Sequence, residues 1–193
     1  MKTELTPRFT AAVEYARAAH GPQRRKGTDI PYLSHLMSVA ALVLEYGGDE
    51  DQAIAGLLHD VLEDCGLHHE PVIRKRFGDR VADVVLACTD GVPNARGKKG
   101  DWRERKERYL SHLHSANADA FLVSAADKLH NARAILADLH AGHDVFARFK
   151  AGKEGTLWYY GELVSVLSHR GESQPVVVEL AGVVAAMRSE ACG

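Results

Sequence analysis

Residues 59–64, His59-Asp60-Val61-Leu62-Glu63-Asp64, set an imidazole beside a carboxylate and bring two more carboxylates four positions on. They do so inside an apolar run that includes Ala55, Leu57, Leu58, Val61 and Leu62. A helix that only packs would leave such acids to solvent, because a buried charge is costly unless it is paired or bound to a metal. Two other places share the pattern. His35 stands in PYLSHLMSVA and Asp127 in VSAADKLHNAR, each among small or apolar neighbours. Two imidazoles and two carboxylates converging from three helices make a site for Mn²⁺, Fe²⁺, Zn²⁺ or Mg²⁺. The mixed nitrogen and oxygen set, with room left for water, favours six-coordinate Mn²⁺. A structural zinc site would be closed, tetrahedral and usually rich in cysteine.

Glu63 and Asp64 have a different part. On a continuous helix, positions four apart lie on one face, so Glu63 falls beyond His59 and Asp64 beyond Asp60, about 6 Å along. That spacing suits contact with water held by the ion rather than ligation. A metal makes such water more acidic, and a neighbouring carboxylate can orient it or take its proton. The competing reading is a solvated helix end before Gly66. Among the 11 histidines, His68, His69, His112, His114, His140, His143 and His169 read as surface residues. His130 interrupts an apolar-periodic helix as His35 and His59 do, and a core histidine needs only a hydrogen-bond partner.

The elements that must hold these residues are helical. Thr6-Pro7 reads as a cap and first helical residue, opening a helix to about Ala19. Residues 32–46 form the next, ended by Gly47-Gly48, and one from Asp49 or Glu50 carries the acidic motif through to Gly66. Shorter helices follow over 70–77 and 79–88, then helices over Trp102 to His114, Asp119 to Leu139, 152–168 and 174–189. GPQRRKGTDIP is a basic, Gly/Pro-punctuated loop, and residues 90–101 have no periodicity and read as the most mobile loop. The fold class is all-α, a single compact domain over residues 1–193 with roughly eight to ten helices.

Composition narrows the function classes. The 193 residues are 46% apolar, enough for a sizeable core. Lys and Arg number 24 against 26 Asp and Glu, a net charge of −2, which gives no general attraction to nucleic acid or an anionic membrane. Cys65, Cys88 and Cys192 lack paired spacing and suit reduced thiols. The start has no apolar signal segment, and VVVELAGVVAAM is too short to span a bilayer. A soluble, cytoplasmic protein is expected, with no nucleic-acid or membrane partner and an oligomeric state left open.

The order His35, His59-Asp60, Asp127 resembles the HD-domain metal phosphohydrolases. Flanking words narrow the likeness. RRKGTDIPYLSH, GLLHDVLEDC, FGDRVADVVLACTDG, RERK and ADKLHNAR are similar, in order, to the hydrolase domain of Rel/SpoT proteins and the small alarmone hydrolases. The likeness covers about residues 8–168. It implies the HD-domain helical fold and Mn²⁺-dependent hydrolysis of the 3′-pyrophosphate of (p)ppGpp, giving GDP or GTP and pyrophosphate. By it, His35, His59, Asp60 and Asp127 match metal ligands, and Glu63 and Asp64 the acidic pair that handles water. Arg25 and Lys26, with Arg24 adjacent, match the basic pair beside the purine. Asn131 and Thr156 match positions near the ribose, and Lys153, in a loosely matching stretch, a phosphate contact. The chain departs from the family at Leu36, where proline is usual, and has no room for a synthetase domain, so a hydrolase-only protein is implied. Alternatives are an HD phosphohydrolase of ppApp, NADPH or a nucleoside monophosphate, or a non-catalytic HD domain that senses a nucleotide.

Overall fold

A computed structural model describes residues 3–91 and 100–192. Helices α1 (Pro7–His20), α2 (Tyr32–Glu45) and α3 (Glu50–Leu58) build one side of the site. Thr6 caps α1 through its Oγ1, which accepts from the Arg8 N–H at 3.2 Å, and Pro7 fills the first position, where no N–H is needed. Asp49 and Gln52 form a reciprocal box at the start of α3, with bonds of 3.0 and 2.9 Å. A Cβ on Gly56 would meet the Ala40 backbone at 3.3 Å, so glycine lets α3 lie this close to α2. That approach sets the His59 ring 5.2 Å from the His35 ring.

The chain continues through α4 (Val61–Asp64), α5 (Glu70–Phe77), α6 (Asp79–Cys88), α7 (Trp102–Ser115), α8 (Ala118–His140), α9 (Gly152–Gly171) and α10 (Pro175–Cys192). Helix α8 is the central strut, packed against α2, α3, α6 and α10. It buries Phe121, Val123, Ala125, Ala126, Leu129, Ala132 and Ile135. This apolar face forces Asp127 inward with them. Helix α10 lies along α8 and α9, and Glu179 on it accepts from Tyr46 and Arg133. The described residues contain no strand, only one isolated bridge between Arg24 and Pro31. No helix among them is long and apolar enough to cross a membrane.

The all-α class and most helix positions agree with the sequence reading. One element differs. The helix expected to run from residue 49 or 50 to Gly66 is broken at His59 and Asp60, leaving α4 as a separate turn. Most of the loop expected over residues 90–101 lies outside the described residues.

Candidate metal centre and substrate cavity

The break after Leu58 re-aims two adjacent side chains. Neighbours on an ideal α-helix point about 100° apart. Asp60 instead has φ −97° and ψ −4°, in the bridge region common at active sites. Its Oδ2 thereby lies 3.1 Å from His59 Nε2 and 3.6 Å from His35 Nε2. From α8, Asp127 Oδ1 lies 3.2 Å from His35 Nε2 and 3.6 Å from His59 Nε2. Donor atoms of His35, His59 and Asp127 thus lie within 4.8 Å of one another, with Asp60 beside the two imidazoles, and His35, His59 and Asp127 are all buried.

This donor set fits a divalent ion. His59 Nδ1 is 2.8 Å from the Gly56 carbonyl, which places its proton there. Its Nε2 is buried without a hydrogen-bond partner, aimed at two carboxylates. A lone pair facing two anions is unfavourable unless a cation lies among them. With a proton as that cation, burial opposes charge on His59, yet Asp60 and Asp127 carry its pKa well above the ordinary value. Burial likewise opposes ionisation of Asp60 and Asp127, but His59 and Lys128 respectively hold these carboxyls well below the usual range. His35, His59 and Asp127 thus form a group able to hold a metal ion, with Asp60 alongside.

A surrounding shell fixes the donors. His35 Nδ1 is 2.8 Å from His130 Nδ1. Burial, His35 and Arg25 lower His130 to about 4, so near neutrality it is uncharged, and with its remaining proton on Nε2 its Nδ1 accepts. The His35 proton then sits on Nδ1, leaving Nε2 for the ion. The Tyr32 hydroxyl donates to Asp60 Oδ2 at 2.5 Å, while Lys128 Nζ and Asn131 Nδ2 each donate to Asp127 at 2.6 Å. His130→Ala is expected to weaken metal affinity about tenfold, the lower end for losing such an orienting partner. Chelator competition measures this, and an unchanged affinity would remove His130 from the role.

Glu63 and Asp64 border the same centre. The Asp64 N–H donates to the Asp60 carbonyl at 2.9 Å, so Asp64 stays one turn beyond it despite the break. Glu63 is half-buried and its Oε2 accepts from the Asp90 N–H at 3.4 Å. Asp64 is exposed and its Oδ2 accepts from Gln23 Nε2 at 2.9 Å. Both act on groups that border the site. Burial and Asp60 push the Tyr32 hydroxyl far up, with Asp64 and Asp127 adding to them, and Glu63 acts on Lys106. Burial and Lys128 lower Lys106 although Asp90 pairs with it.

A cavity of about 510 Å³ adjoins the centre, sharing Tyr32, Lys128 and Asn131 with its shell. Its lining holds five cations (Arg25, Lys26, Lys106, Lys128, Arg148), five aromatic rings (Tyr32, Trp102, Phe149, Tyr159, Tyr160) and one acid, Asp138, which suits an anionic ligand with a flat ring system. Arg25 Nη2 donates to Asn131 Oδ1 at 3.1 Å, and Lys26 Nζ lies 5.6 Å from the Phe149 ring centre. Of the substrate residues expected from the sequence, Arg25, Lys26, Asn131 and Thr156 line this cavity. Thr156 does so with its hydroxyl already donated to the Gly152 carbonyl at 2.6 Å.

Two of the expected substrate residues lie outside the cavity. Arg24 is exposed and outside the cavity. It sits in an extended stretch where Arg25 N–H donates to the Ile30 carbonyl at 2.8 Å, and successive side chains there point to opposite faces. Lys153 is also outside the cavity, its Nζ donating to the Ala191 carbonyl at the end of α10. Tyr32, Lys106, Lys128 and His130 were the residues that sequence reasoning did not place in the site. The words RERK and ADKLHNAR held three of them.

Two buried histidines and a buried aspartate brought together from α2, the α3–α4 break and α8, with a second aspartate beside them, define the class. The chain belongs to the HD-domain family, whose model matches residues 12–157. Among its relatives, the guanosine-3′,5′-bis(diphosphate) 3′-pyrophosphohydrolase of Aquifex aeolicus is 37% identical over 126 residues, 64% of this chain but 17% of that protein. The Drosophila melanogaster enzyme of the same name is 33% identical over 136 residues, 69% of this chain and 72% of that protein. Among solved structures, a metazoan ortholog of SpoT, described as hydrolysing ppGpp and acting in starvation responses, superposes with a TM-score of 0.74 at 26% identity. That match covers 95% of this chain and 97% of the other. A Listeria monocytogenes protein matches with a TM-score of 0.67 at 30% identity, over 78% and 96% of the two chains.

Proposed function

We propose that this protein is a divalent-metal-dependent pyrophosphohydrolase that converts (p)ppGpp and water to GDP or GTP and pyrophosphate, with Mn²⁺ as the working ion. The observation that carries this reading is the cation- and aromatic-lined cavity adjoining the four-donor centre. An ion held by His35, His59, Asp60 and Asp127 would supply Lewis-acid activation of water and of a phosphoryl oxygen. Glu63 and Asp64 orient the attacking water and take its proton. Lys106 and Lys128 face the pyrophosphate, as point charges without a bidentate demand. Water adds to the phosphorus on the ribose 3′-oxygen, that P–O bond breaks, and the 3′-oxygen leaves with a proton. Arg25 and Lys26 hold the nucleotide at the cavity mouth, where a guanidinium plane can stack on a purine.

The same reading takes α10 as part of one hydrolase unit, given its packing on α8 and α9. A cytoplasmic setting goes with a nucleotide substrate and with three free cysteines. The test is a product assay on the protein with Mn²⁺ against ppGpp, pppGpp, ppApp and NADPH. Pyrophosphate from ppGpp and pppGpp supports the proposal, whereas orthophosphate from NADPH alone would replace it. Mn²⁺, Mg²⁺, Zn²⁺ and Fe²⁺ compared at equal loading decide the ion.

Arg25→Ala and Lys26→Ala are expected to raise KM several-fold with little change in kcat, because neither side chain can activate water. Steady-state kinetics on ppGpp measures this. A collapse of kcat at constant KM would assign them to chemistry instead.

A further inference from the structure

His20, the last residue of α1, is buried to 5% exposure yet takes no part in the chemistry above. Its ring stacks on Tyr32 with centres 5.1 Å apart. Its Nδ1 lies 2.8 Å from Gln23 Oε1, and Gln23 Nε2 donates to Asp64 Oδ2 at 2.9 Å. We infer that His20 and Gln23 are positioning residues that hold the Asp64 carboxylate through a one-way chain of hydrogen bonds. The inference rests on the hydrolase reading of Asp64.

Chemistry fixes the direction of that chain. An ionised carboxylate only accepts, so Gln23 must turn its amide N–H toward Asp64. Its carbonyl then faces His20, and a carbonyl demands a donor there. His20 must therefore carry its proton on Nδ1. A flipped Gln23 amide would set lone pairs against the carboxylate, and a His20 without a proton on Nδ1 would leave a buried lone pair against a carbonyl oxygen.

The backbone fixes the place of the chain. The Gln23 N–H donates to the His20 carbonyl at 3.0 Å, and the Gln23 carbonyl accepts from the Tyr32 N–H at 2.9 Å. The glutamine is thus tied at both ends of its peptide while its side chain spans from α1 to α4. Asp64 is exposed on a helix of four residues, and the Gln23 bond narrows the rotamers its carboxylate samples.

The ring and the hydrogen bond of His20 can be separated by substitution. His20→Asn keeps an N–H close to the place of Nδ1 but loses the stack on Tyr32. His20→Phe keeps the stack and loses the donor. Gln23→Met keeps length and volume without any hydrogen bond. With ppGpp at saturating Mn²⁺, Gln23→Met and His20→Phe are each expected to lower kcat about tenfold, the lower end for losing an outer partner. KM should stay within about twofold, as for an interaction made only in the transition state, with bound metal unchanged. His20→Asn should retain most of kcat. A pure packing role for the ring gives the reverse order, with His20→Phe active and His20→Asn impaired, and overturns the inference. So does wild-type kcat in Gln23→Met.

A second measurement does not depend on turnover. Nitrogen-15 NMR at mildly alkaline pH should find His20 protonated on Nδ1, with that preference lost in Gln23→Met. An Nε2 proton on His20 in the unaltered protein overturns the inference even if the protein hydrolyses ppGpp. A wild-type protein without turnover strikes the hydrolase reading instead, and the two failures are distinguishable.

Discussion

Glu63→Gln is expected to leave bound metal and fold near wild type while cutting kcat on ppGpp by a factor on the order of 10² or more. Glutamine keeps the length and shape of the side chain and still offers an acceptor to the Asp90 N–H, which now bonds Glu63 Oε2 at 3.4 Å. What it loses is the charge and the ability to take a proton. Metal loss is not expected, because Glu63 sits on α4, beyond the turn that supplies His59 and Asp60. Asp64→Asn should lower kcat in the same way. It also weakens the contact with Gln23, since an amide accepts less strongly than a carboxylate. Turnover at saturating Mn²⁺ beside elemental analysis of the protein decides the matter. Wild-type turnover in both variants would make the acids an ordinary solvated helix end.

The donor residues were legible because burying them contradicts ordinary packing. Imidazoles and carboxylates at core positions of apolar helices need a reason, and Asp127 on the buried face of α8 shows the rule at work. The break at His59 and Asp60 was not legible. Neither glycine nor proline marks it, and both flanks are helix-forming, so local propensity predicts one continuous helix. The site decides otherwise, because two adjacent donors facing one point are incompatible with ideal helical geometry. Arg24 and Arg25 failed to separate for a related reason. A Gly/Pro-rich loop reads as irregular, and the two-residue alternation inside it shows only when the Arg25–Ile30 and Tyr32–Gln23 bonds are seen. Lys153 has the right charge, but the α9 register turns it toward the end of α10. His20 is silent in the sequence, standing at a helix end where a basic residue suits the dipole. Its burial and its partner appear only when α1 meets Tyr32.

Asp127→Ala should give the largest combined effect, abolishing bound metal and hydrolysis while destabilising the protein. Its Oδ1 is 3.2 Å from His35 Nε2, which places it as a donor in the proposed centre. Its Oδ2 receives the Lys128 ammonium at 2.6 Å, and both side chains are largely shielded from water. Burial opposes the charge on Lys128, and Asp127 is the neighbour that outweighs it. Removing one member of a buried pair costs about 3–5 kcal/mol, because the other charge stays behind without compensation. For a chain of this size that corresponds to a fall in Tm on the order of 10 °C. His59→Ala makes the informative contrast. It also removes a metal donor but leaves Asp127 and Lys128 together; in excess chelator it takes away instead the charge that compensates Asp60, so its Tm reads the cost of that pair and not of Lys128. Metal content separates the two roles from the other side, since both substitutions should abolish stoichiometric binding. Retained metal in both variants would sink the ligand assignment. A Tm of Asp127→Ala equal to that of the unaltered protein in chelator would sink the claim that Asp127 also holds the Lys128 charge in place, leaving a carboxylate that serves the ion alone.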